Sequence, residues 1–154
     1  MPSGIVTGLG AGAVCGAGAL GMLFGMGRRY STLWRPLNAA AHAVIGSRAD
    51  GVWGFQSDVT LVGVAVVLVV SALAGIVIAE LTSSPRRMQY RALTASGVAL
   101  AGYLVHVHIV ARNSGGLAAL LSIGELRALY AAAAIALSLG MRYAFFPSAK
   151  GLSE

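Results

Sequence analysis

VTLVGVAVVLVVSALAGIVIAEL, residues Val59 to Leu81, decides the fold. From Val59 to Ala79 it offers 21 consecutive residues without a charge, and Glu80 enters only in the last turn. About 20 apolar residues in helical form cross a hydrocarbon layer of about 30 Å. Lipid gives a bare peptide group no hydrogen-bond partner, so such a segment satisfies its own backbone as a helix. The strict apolar/polar alternation of a membrane β-barrel strand is missing from it.

Outward from this run, three others meet the same criterion. Gly4 to Met26 is the first. Pro85 to Ala111 is the third, with its apolar part from Ala92 to Val110. Ile123 to about Phe145 is the fourth. Their flanks carry matching end signals. Ser3 and Asp58 stand where N-caps are needed, and Gly27 follows the first run where a left-handed residue ends a helix. Ser84-Pro85 puts a capping side chain before a proline that needs no N–H. Ser122-Ile123-Gly124-Glu125 fits a capping box. The first run is longer than a signal peptide and is followed by Arg28-Arg29, so it is expected to stay as a helix.

Composition leads to the same class. The 154 residues are 57% hydrophobic and 10% charged, with a mean hydropathy of +0.79, whereas soluble domains carry about 25% charged residues. The net charge of +6 lies in arginines at the ends of apolar runs, which suits anionic lipid head groups better than nucleic acid. Cys15, the one cysteine, lies mid-run and reads as a small packing residue.

Only one connection is long. Between Arg28 and Ser57, Leu37, Ala40, Ala41, Val44 and Ile45 fall on one face of a short helix over 36–46, with Asn38 and His42 on the other side. Arg28, Arg29, Trp34, Arg35 and Trp53 around it, and Arg86 and Arg87 elsewhere, favour the lipid–water interface. The expectation is an amphipathic helix lying on the membrane surface or dipping into it, with His42 facing outward. The fold predicted is therefore an all-α membrane protein: one domain over 1–154, four transmembrane helices, and this interfacial helix between the first and second. Both termini fall on one side. Basic residues divide five against six between the sides; the short loop from Thr82 to Gln89, with arginines and no acid, favours cytoplasmic termini.

Gly4, Gly8, Gly12 and Gly16 form a row at spacing four, and Gly21 and Gly25 add a pair. Small residues so spaced make a groove into which another backbone fits closely. The partner is either a helix of this chain or another subunit, and the slow drift of the row favours contacts beyond the chain. His106 and His108 lie within the third run. They point about 200° apart on a helix, so they do not share one metal ion. One could be an axial ligand to haem or a chlorophyll-type tetrapyrrole, with Gly102 leaving room one turn below His106; the alternative is interfacial histidines bonded to carbonyls or head groups. Glu80 is expected to pair with Arg86 or Arg87. No charge lies at mid-helix, and no catalytic motif is present.

The glycine-rich first run, Trp34-Arg35-Pro36-Leu37-Asn38-Ala39 and the Ser-x-x-Glu start of the last helix make the chain similar to small four-helix bacterial inner-membrane proteins. That resemblance implies a location and no activity. The expectation is a non-catalytic accessory subunit within a larger respiratory or photosynthetic membrane complex, in contact with lipids and other membrane subunits. The alternatives are a pigment- or haem-binding protein and a small oligomeric channel or lipid-handling protein.

Overall fold

The computed structural model describes residues 4–83, 90–110 and 115–143, and these are helical with no strand. The helices are α1 (Gly4–Gly27), α2 (Arg35–Ile45), α3 (Ser57–Leu81), α4 (Arg91–Val105), α5 (Gly116–Leu120) and α6 (Ile123–Tyr143). Four helical segments, Gly4–Tyr30, Ser57–Leu81, Arg91–Val110 and Ile123–Arg142, are long and apolar enough to cross a membrane. Their outer faces are oily, with Leu93 71% and Ile135 62% exposed. Water would penalise such a surface, whereas a bilayer is its natural solvent. The expected caps at Ser3 and Ser84-Pro85, together with Arg86, Arg87, Arg112, Pro147 and Lys150, lie outside the described residues.

Close helix approach at glycine sets the arrangement. A Cβ added at Gly8 would stand 2.5 Å from Ile76 Cα, one at Gly12 2.6 Å from Ala72 Cα, and one at Gly16 2.8 Å from Leu68 Cδ2. The numbers run in opposite directions, so α1 and α3 are antiparallel and in backbone contact. The other side of α1 meets α6, where Gly140 lies against Ala11 and Gly18 against Ala136. Tyr103 and Tyr130 pair edge to face, joining α4 to α6. The transmembrane helices thus run in spatial order α3, α1, α6, α4. The arc is only partly closed, because the contact between α3 and α4 is small and lies toward the core that holds Ala79 and Ala95. Its core is built of small and flexible residues, including Ala11, Cys15, Ala79, Ala95, Leu137 and Met141.

The expected capping box is present: Glu125 N–H donates to Ser122 Oγ at 3.3 Å, and Ser122 N–H donates to Glu125 Oε2 at 2.9 Å. Other local expectations are corrected. Asp58 does not cap α3; it lies in the first turn and its carboxylate accepts from Arg48 at 2.8 Å. The third spanning helix is not uniform, because α4 passes into a π-helical turn over His106–Val110. Helix α5, a single turn before α6, was not expected. Arg86 and Arg87 are not described, and the Glu80 carboxylate lies beside Gly4 at the start of α1.

Helix α2 is the largest correction. Leu37, Ala40 and Ala41 of its expected apolar face are buried, but Val44 of that face is 66% exposed and Asn38, expected on the outer side, is fully buried. The helix packs into the end of the bundle against α3. Gly63 makes the seat, since a methyl there would land on the Leu37 carbonyl. Gly46 ends the helix with φ +62°, a left-handed turn suited to glycine.

Candidate functional site

The opening between α3 and α4 is a groove of about 420 Å³. Cys15 and Leu23 of α1 form its back, Val70 and Ser71 of α3 one wall, and Val98 and Ala99 of α4 the other. Leu129, Tyr130 and Leu137 of α6 complete it. One end is closed by Ala39 and Ala40 of α2 and by Gly116 and Leu117 of α5. No lysine, arginine, aspartate or glutamate lines it among the described residues. An apolar cavity of about 150 Å³ already takes up benzene, so this groove has room for a considerably larger molecule.

The closed end is held by one carboxylate. His42 Nδ1–H donates to Asp50 Oδ1 at 2.9 Å, and Gly116 N–H donates to the same oxygen at 3.2 Å. Gly116 has φ +65° and rests on the His42 side chain; a Cβ at neighbouring Gly115 would fall on the imidazole ring itself. His42 therefore does not face outward as expected. It is a fastening between α2, the turn after it, and α5.

His106 lines the groove on the other side. Its Nδ1 lies 3.0 Å from the Tyr130 hydroxyl. The space that sequence spacing leaves at Gly102 is not free for a flat cofactor, because a Cβ there would sit 3.1 Å from the Tyr130 ring. His108 is apart from this pair: it is exposed, and its Nδ1–H donates to the Leu104 carbonyl at 3.1 Å. No group of three or more His, Cys, Asp or Glu residues is placed to hold a metal ion among the described residues.

The remaining candidates divide clearly. Gly4, Gly8, Gly12 and Gly16 are occupied within the chain by α3, the intramolecular of the alternatives open for that row. Gly21 and Gly25 have nothing within 4 Å of an added Cβ. Trp34 is wedged between Phe24 at 5.4 Å and Phe55 at 5.0 Å. The Arg35 guanidinium lies 5.1 Å over the Trp53 ring. Arg29 meets Glu125 at 3.4 Å, and Arg28 is exposed. The groove itself was not found from sequence. Its walls are mostly apolar, and its few polar residues are scattered over separate helices, so no local pattern marks which faces fail to meet. No family model, curated protein or solved structure matches the chain.

Proposed function

We propose that this chain is a non-catalytic membrane protein that holds a long apolar molecule of the bilayer in the groove between α3 and α4. One observation carries the proposal: a cavity of about 420 Å³ with apolar walls on the side where the helix arc fails to close. Apolar walls of this kind gain dispersion contacts from an apolar molecule that fills the space between them, and the surrounding lipid supplies such chains. Pockets that bind small molecules fall in the same range, about 300–1,000 Å³, with mostly apolar linings. Val70 lines the groove and is 59% exposed, so Val70→Trp fills the slot from its rim without forcing the core. Mass spectrometry of lipid retained by the detergent-purified protein is expected to find a bound lipid in the wild type and a severalfold lower amount in Val70→Trp. Equal retention by the two proteins rejects the groove as the binding site.

Gly21 and Gly25 support a second role, as an accessory subunit. They are exposed on α1, four residues apart, and unopposed. Such a pair lets a helix of another subunit approach closely. A pull-down from native membranes is expected to recover a partner subunit with the wild type and to lose it with Gly21→Leu/Gly25→Leu. Recovery of a 15.6 kDa monomer alone sinks this role and leaves the groove untouched.

A further inference from the structure

Building on the groove as a binding site, we infer that it selects lipids with an uncharged head group that ends in a hydroxyl or carbonyl, and rejects phospholipids and other charged lipids. Three features lead there. The wall contains no cationic side chain among the described residues, so a phosphate or carboxylate brought into it finds no counter-charge. The end of the groove nearest the helix termini is closed by α2 and α5 and fastened through His42, Asp50 and Gly116. A head group that must stay in water therefore has no way out along the axis, and entry is sideways from the hydrocarbon. The polar groups that line the groove among the described residues are hydrogen-bonding types: the Cys15 thiol, the Ser71 and Tyr130 hydroxyls and the imidazoles of His106 and His42, the latter already bonded to Asp50.

One of these polar groups has unused capacity. Among the described groove-lining residues, His106 alone has a buried side-chain nitrogen or oxygen without a hydrogen-bond partner, its Nε2. An ionised imidazole is costly in lipid, so the ring is neutral and carries one proton. If the Tyr130 hydroxyl donates to Nδ1, that proton sits on Nε2; the reverse arrangement would leave both the phenol O–H and the Nε2 lone pair unmatched. The His106–Tyr130 pair thus gives the site a neutral polar end, fitted to a hydroxyl or carbonyl and not to an anion.

The test compares two probes that share one chain: geranylgeraniol, with a hydroxyl head, and geranylgeranyl diphosphate, with a charged one. Each is titrated into wild-type and Val70→Trp protein in neutral detergent. Geranylgeraniol is expected to bind the wild type about a hundredfold more tightly, since a buried uncompensated charge costs that much in affinity. Val70→Trp is expected to weaken geranylgeraniol binding at least tenfold. If Val70→Trp weakens both probes and the wild type binds them equally, the head-group selectivity is wrong and the groove stands. If Val70→Trp changes neither, the groove itself is not the site. Tighter binding of the diphosphate overturns the inference outright. Nitrogen-15 spectra of labelled histidine provide an independent check on the polar end. The Nε2–H tautomer is expected for His106, and a proton on Nδ1 removes the donor.

Discussion

Gly12→Leu is expected to part α1 from α3 and to lower the stability of the protein by about 3 kcal/mol or more. A Cβ at Gly12 would lie 2.6 Å from Ala72 Cα and 2.8 Å from the Ser71 carbonyl oxygen. Both are backbone atoms of a helix and cannot move aside without shifting α3 as a whole. The same seam is tight from the other direction, because a Cβ at Gly75 would meet the Gly8 carbonyl and the Gly12 backbone. Cys15, one turn beyond Gly12, is only 3% exposed and reports on the seam. Its alkylation during a temperature ramp in detergent should begin well below the wild-type midpoint in Gly12→Leu. Gly21→Leu is the matched control: it adds the same side chain to the same helix where nothing lies within 4 Å, and should stay within about 0.5 kcal/mol of wild type. Should the two variants expose Cys15 at the same temperature, close approach at Gly12 is not what holds α1 to α3.

The four spanning helices were legible because their signal is local. A run such as Val59 to Leu81 specifies a membrane crossing by length and lack of charge alone, and Ser122 with Glu125 marks a helix start three residues at a time. The glycine row was legible as a groove but not as to its occupant. Gly8 and Gly12 show only that something comes close; that it is Ile76 and Ala72 of the same chain depends on how α3 returns. Helix α2 was legible in position and in its buried Leu37, Ala40 and Ala41, and misread at Asn38 and Val44. Hydrophobic periodicity puts Asn38 on the wet side, yet its amide meets backbone carbonyls 14 and 16 residues further along, a pairing that no local pattern encodes. His42 was misread for the same reason, since Asp50 and Gly116 are distant partners. Least legible was the groove, because it arises from a contact that is not made.

Asn38→Leu is expected to be the most damaging change outside the transmembrane seam, at about 3–5 kcal/mol, since each buried polar group left unpaired costs about 1–3 kcal/mol. Asn38 is fully buried. Its Nδ2 donates to the Val52 carbonyl at 3.1 Å and to the Gly54 carbonyl at 2.9 Å, while its Oδ1 accepts from Thr60 Oγ1 at 2.7 Å. Thr60 Oγ1 in turn accepts from Gln56 N–H at 3.1 Å, at the start of α3. One amide therefore joins α2, the returning loop and the first turn of α3. Leucine matches its size but takes the amide away from the Val52 and Gly54 carbonyls and leaves the buried Thr60 hydroxyl without its acceptor. Asn38→Asp should be no better, because a carboxylate replaces the amide donors and faces two carbonyl oxygens. Thr60→Val removes one link and should cost about 1 kcal/mol. Hydrogen exchange separates this damage from that of Gly12→Leu: in Asn38→Leu, amides over 46–56 should exchange at least tenfold faster while Cys15 stays protected at room temperature. Because Ala39 and Ala40 of α2 close the groove, loosening α2 should also lower retained lipid. Unchanged exchange over 46–56 in Asn38→Leu means that the buried amide does not hold α2 in place, and the closed end of the groove then needs another support.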